Sequence, residues 1–271
     1  MSDSKEPFGD FGRLVYAASG VALGILGLVW RDFAAVWQPV ENLVGHSHRV
    51  LLATVFAACF LVAGAATAWR GTARFGFLAL ALLHAISASG WMPRILGDPA
   101  VFGTWNGLFE QLALVAAGVV GFSSSSASAW SARLSQMGCW LFGICALSFG
   151  TAHLIYVPET AGFVPKWIPP APEFWAYATG AFHLFAGVAI LSGVMAALAS
   201  RLLTVMMIGF GVLVWAPGLF ARPGDHFTWA GNCINFALVG AAWVIADSIA
   251  RRSVPHGTEV RPQEEQPTYQ E

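Results

Sequence analysis

Inside its long apolar runs this chain keeps a small set of groups that could move protons or hold a polar ligand: His84, Glu110, His153 and His183, with the amides Gln111, Asn232 and Asn235. A charge at the centre of a membrane helix costs on the order of 2.5–3.5 kcal/mol on insertion scales, so each such group needs a reason. Glu110 is the one carboxylate deep within a run, which makes it a candidate proton relay. Counted from Met92, Phe102, Phe174 and Phe227, the outer ends of their runs, His84, Glu110, His183 and Asn235 lie eight or nine residues in. At about 1.5 Å per residue they share a depth of roughly 12–14 Å. His153, three residues from Tyr156, sits nearer the mouth.

That shared depth predicts a polar cavity opening on the outer side, lined by His84, Glu110, Gln111, His153, His183 and Asn235. The segment Val164–Pro170, stiffened by its prolines, would roof it. Trp167 and Trp175 would act as lid or stacking groups for a flat ligand such as a quinone ring. The plainer alternative is that each polar group makes one interhelical hydrogen bond and stabilises packing. Haem is disfavoured, because His153 and His183 differ in depth by about six residues, or roughly 9 Å. No metal site is expected. His46, His48 and His226 read as solvated loop histidines, and no Cys pair forms a C-x-x-C motif. Cys59, Cys139, Cys145 and Cys233 all read as small packing residues.

The elements that must position these groups are membrane helices. The chain has 271 residues, 56% hydrophobic and 11% charged, with a mean hydropathy of +0.63. Soluble domains carry about twice that charged fraction. Apolar runs recur at Leu14–Trp30, Val50–Trp69, Phe75–Met92, Phe102–Phe122, Gln136–Tyr156, Phe174–Val194, Leu202–Phe220 and Phe227–Ala250. Each can span a bilayer as a helix. None alternates polar and apolar residues as a barrel strand would. The net charge of −1 excludes a nucleic-acid partner. With both tails in the cytoplasm, nine basic residues lie inside and five outside, which favours that topology. The expected location is thus the inner membrane.

The two halves match in one register. A shift of 123 or 124 positions takes Gly27 to Gly150, Gly64 to Gly187, Trp91-Met92-Pro93 to Trp215-Ala216-Pro217, and Trp105/Gly107 to Trp229/Gly231. We therefore expect an all-α protein of eight transmembrane helices, built as two tandem four-helix repeats of the same orientation. The divisions are a tail at 1–12, a first repeat at 13–122, a Ser-rich linker at 123–132, a second repeat at 133–250 and a disordered tail at 251–271.

In the second repeat stand Phe149-Gly150-Thr151-Ala152-His153, then Val164-Pro165-Lys166-Trp167-Ile168-Pro169-Pro170, then Tyr177 to Gly180, His183, Ala186-Gly187 and a short turn ahead of Arg201. This pattern resembles the DoxX-like family of small four-helix membrane proteins. The likeness covers about residues 133–250 and is weaker over 11–122, where the outer-loop pattern is reduced to Trp37-Gln38-Pro39. It implies an inner-membrane bundle linked to quinone or thiol oxidative metabolism, as a membrane subunit or accessory with a quinone or a redox partner protein. It implies no catalytic residues, because the family has no agreed set. The alternatives are a non-enzymatic transporter or binder of a small hydrophobic or weakly acidic metabolite, and a scaffold for a soluble oxidoreductase.

Overall fold

With no water in the bilayer core, every backbone N–H and C=O must find its partner within the chain, and a helix does this segment by segment. The computed structural model of this protein describes residues 10–44, 46–124 and 128–253. In order these form α1 (Phe11–Trp30), short 3-10 turns at Pro39–Asn42 and His46–His48, α2 (Arg49–Ala68), α3 (Ala73–Ser89), α4 (Met92–Gly97) and α5 (Phe102–Ser123). There follow α6 (Ala129–Ile155), α7 (Val157–Phe163), α8 (Pro172–Ser192), α9 (Ala196–Phe210), a π-helical turn at Gly211–Trp215, α10 (Ala216–Ala221) and α11 (His226–Ser253). Eight segments are long and apolar enough to cross a membrane. The third joins α3 to α4, and the seventh joins α9, the π turn and α10. Among the described residues there is no strand, and the architecture is that of an all-helical, multi-pass integral membrane protein.

Local chemistry sets the ends. Ser128 caps α6 by accepting the Ser131 N–H at 3.2 Å. Pro172 opens α8, where its missing N–H costs nothing, and Gly193 closes it in the left-handed region at φ 79°. The turn after α8 is so tight that α9 already begins at Ala196. Arg201 therefore lies within that helix rather than ahead of it, and the span starts six residues before the apolar run at Leu202. The helix α7 was not expected. It inserts about two turns between Tyr156 and the proline-rich loop. Toward the two termini α1 starts at Phe11 and α11 runs to Ser253. Residues 1–9 and 254–271, from the two tails, and 125–127, from the Ser-rich linker, lie outside the described residues.

Helices pack as α1 on α2 and α11, α3 on α2 and α5, α6 on α5 and α8, and α9 on α8 and α11, with α5 also meeting α11. Close approach relies on glycine. A Cβ on Gly64 would stand 2.7 Å from the Ala17 carbonyl oxygen, and one on Gly187 would stand 2.8 Å from that of Gly143. Several contacts recur at the same offset. Trp91 lies on Gly107 as Trp215 lies on Gly231, and the Trp105 indole donates to Pro99 O at 3.0 Å as that of Trp229 donates to Pro223 O at 2.8 Å. Of the cysteines, Cys139, Cys145 and Cys233 are buried as packing residues, whereas Cys59 is exposed.

Candidate functional site

The site begins where α6 and α8 touch backbone to backbone. A Cβ on Gly150 would stand 2.7 Å from the Gly180 carbonyl oxygen, and one on Gly180 would stand 2.9 Å from the His153 Cβ. Three residues beyond each glycine is a histidine. Side chains on a helix lean toward its N-terminus, so on these antiparallel helices the two imidazoles lean toward each other. Their rings come to 5.0 Å between centroids, tilted by 39°. The difference in backbone depth read from the sequence is closed in this way. Phe210 lies beside both rings at 6.1 Å, nearly parallel to each. A porphyrin has no room between imidazoles in ring contact, so this pair does not fit as axial haem ligands.

Each histidine is fixed by its own helix. His153 Nδ1 donates to Phe149 O at 2.8 Å and His183 Nδ1 donates to Thr179 O at 2.8 Å. A carbonyl can only accept, so in the neutral ring the proton stands on Nδ1 and the Nε2 lone pair is left as an acceptor.

The facing wall is the seventh span. Its π turn at Gly211–Trp215 lies between two tethers from α11. Asn235 Nδ2 donates to Met207 O at 3.4 Å, before the turn, and Asn232 Nδ2 donates to Trp215 O at 3.0 Å, at its end. A π turn widens the helix locally and is frequent at functional sites. Its sequence signals are Gly209, Gly211 and Pro217, none of which had been read as a break.

Between these walls is a cavity of about 430 Å³, lined by Glu110, His153, His183, Asn235 and Trp175 from the expected set. It lies toward the end of the bundle opposite the chain termini. Glu110 keeps part of its surface free, and the Trp37 indole N–H donates to its carboxyl. Trp37 reaches this place from the loop after α1, where it packs on Trp215 at 5.7 Å and Phe227 at 5.0 Å. That loop is anchored by a bidentate pair, Arg49 to Asp32, with both N···O distances 2.8 Å. The roof is α7 and the chain after it, through Tyr156, Phe163, Val164, Pro165 and Ile168.

The remaining expected residues lie elsewhere. His84 and Gln111 do not line this cavity; they bond to each other, Nδ1 to Oε1 at 3.0 Å, fully buried between α3 and α5. Depth fixes height in the membrane but not the face of the bundle, and α3 faces the other half. Trp167 is not among the lining residues: it is 75% exposed, and its neighbours Pro165 and Ile168 line the cavity instead. Trp175 lines the cavity with its N–H donated to Pro169 O at 2.9 Å. Phe210 and Trp215 were missed as lining residues, because an aromatic side chain in an apolar run carries no sign of which side it faces, and Trp37 was missed because it lies in a loop, where hydropathy gives no depth. No group of three or more His, Cys, Asp or Glu side chains among the described residues is placed to hold a metal.

Among curated proteins and solved structures, none matches the chain. The sequence model of the DoxX family matches residues 137–216. That segment runs from α6 to the start of α10, and supplies both histidines, while Glu110 and Asn235 come from outside it. The protein is thus a multi-pass membrane protein whose residues 137–216 match the DoxX family.

Proposed function

We propose that the cavity is a ligand site for a small, flat, mainly apolar molecule, and that the protein serves quinone-linked or oxidative-stress redox metabolism as a membrane subunit or accessory. The carrying observation is the histidine pair: two Nε2 acceptors side by side among aromatic walls. A quinol has the matching form, a flat ring with hydroxyl donors, and when bound it supplies electrons. His153 and His183 would accept from its hydroxyls, Phe210 and Trp175 would flank its ring, and the roof would keep water out. The excess of basic residues on the termini side supports an inner-membrane location with the cavity facing the periplasm. The recurring contacts at offsets of 123 and 124 support descent from a duplicated four-helix unit.

The test is purification in a mild detergent, extraction of bound small molecules and their identification by mass spectrometry. About one quinone per chain is expected from the native protein and none from the His153→Leu/His183→Leu pair. Recovery of equal quinone from both would overturn the reading.

A second reading, a non-enzymatic transporter or binder of a small hydrophobic metabolite, is favoured by the π turn and Pro217 in one wall. Both are places where a membrane helix bends. In that case accessibility of Leu213 to a soluble thiol reagent, after Leu213→Cys, changes sides when substrate is added. A pure scaffold for a soluble oxidoreductase would have neither property.

A further inference from the structure

The cavity is unequal in its hydrogen-bonding chemistry. Its acceptors face inward: the Glu110 carboxyl and the Nε2 atoms of His153 and His183. Several of its donors are occupied by the protein itself, while the Asn106 amide, the Tyr156 hydroxyl and the Trp215 indole have no acceptor among the described residues. Trp37 N–H serves Glu110, Trp175 N–H serves Pro169 O, the Asn235 amide serves Met207 O and the Thr179 hydroxyl serves Trp175 O at 2.7 Å. No Lys or Arg is among the lining residues, and Glu110 has no ion pair among the described residues. A second carboxylate, Glu159, stands exposed at the rim. The walls are the faces and edges of Trp37, Phe149, Phe163, Trp175, Phe210 and Trp215.

From these features we infer that, besides a quinol, the cavity takes a lipophilic organic cation, an aromatic ammonium whose head meets Glu110 and the two histidines while its ring lies among the aromatic walls. Ring faces attract cations, most strongly where water is excluded. A carboxylate inside a membrane protein without a cationic partner completes its pairing when such a head arrives. An anion would meet two carboxyl groups and no Lys or Arg, so weakly acidic metabolites are disfavoured at this site. A neutral quinol meets the same imidazoles but leaves Glu110 without a counter-charge.

The inference rests on the cavity being a ligand site, and three probes of one shape separate the two claims. They are 4-phenylbutylammonium, 4-phenylbutanol and 4-phenylbutyrate, added to the full chain in detergent and followed by quenching of tryptophan fluorescence. The ammonium is expected to bind at least about tenfold tighter than the alcohol, and the carboxylate weakest. Glu110→Gln removes the preference for the ammonium over the alcohol, and its thermal unfolding in detergent reports that the variant is folded. Should that variant not fold, Glu110→Asp keeps the charge and the order of the three probes. Equal binding of ammonium and alcohol, or an unchanged preference in Glu110→Gln, overturns the charge selectivity alone. Failure of all three to bind overturns the ligand-site reading with it.

Discussion

Where the last four spans turn His183, His153 and Thr179 toward a cavity, the first four, 123 residues earlier, have Phe60, Trp30 and Phe56. Those aromatic residues pack into the bundle. Phe33, Phe56, Phe60 and His84 form a continuous chain of ring contacts at 5.7, 5.1 and 5.1 Å, and Phe60 is fully buried within it. The amides at the matched positions also differ by one methylene. Gln111 reaches across to the His84 ring, whereas Asn235 stops at the Met207 carbonyl. At the level of these residues the first half is thus filled by rings, and the second half is hollow beside its histidine pair. What decides between them is a few side chains and the π turn, which widens the wall of the hollow half only.

The strongest way to break this contrast is to give the hollow half the residue of the filled one. His183→Phe places a ring where Phe60 stands in the other half, and we expect ligand binding to fall by more than about a hundredfold with no loss of thermal stability. Retention of binding would show that the histidine pair is not the site's centre. The converse change, Phe60→His, buries an imidazole whose Nδ1 can reach the Phe56 carbonyl but whose Nε2 is left among the rings of Phe56 and His84, at a cost of about 1–3 kcal/mol in detergent unfolding.

The next test uses the two tryptophan–glycine contacts. A Cβ at Gly107 would stand 2.3 Å from the Trp91 ring and one at Gly231 would stand 2.0 Å from the Trp215 ring. Trp91 is enclosed, so Gly107→Ala should destabilise by about 1–3 kcal/mol through overpacking. Trp215 borders the cavity and can move into it, so Gly231→Ala should cost less stability and reduce binding instead. Unfolding midpoints and probe affinities, measured on both variants, check the crossed pattern.

The span count and helical class were legible because hydropathy dictates them locally. Glu110, His153, His183 and Asn235 were legible as a set because polar groups are scarce in the spans. Which of them meet was not legible. His84 matches Glu110 in depth yet faces Gln111, since depth says nothing of azimuth around the bundle axis. The helix α7 escaped because Val157–Phe163 is too short for a periodic signal. Phe210 escaped because its position depends on where the π turn falls.

A smaller effect tests the polar lock inside the filled half. Removing one partner of a buried pair leaves the other unsatisfied, whereas replacing both by apolar groups of like shape is close to neutral. Gln111→Leu alone should cost about 1–3 kcal/mol, and the double change His84→Phe/Gln111→Leu less than either single change. The Gln111 Nε2, buried and without a partner among the described residues, already lowers the worth of this pair. A double-mutant cycle in detergent unfolding measures the coupling, and additive costs would show that the two side chains act independently.

The smallest effect lies at the termini end, away from both the filled and the hollow region. Arg13 donates to the last carbonyls of α2, Thr67 O at 3.0 Å and Ala68 O, and together with Arg70 it holds Asp10. The hydrogen bond from Arg70 lowers the Asp10 carboxyl below its usual range, with the Arg13 charge adding to this against the effect of burial. For a depressed carboxyl the associated stability is complete above the unfolded value, 3.8, and is lost as the pH falls through the lower folded value. Acidification should therefore loosen the α1–α2 junction only below about pH 4, with native-state hydrogen exchange at Gly12 to Val15 rising there. Asp10→Asn should show that exchange at neutral pH, while ligand binding at the far end of the bundle stays unchanged. A fall in affinity in that variant would mean that the two ends are coupled and that the hollow half does not act alone.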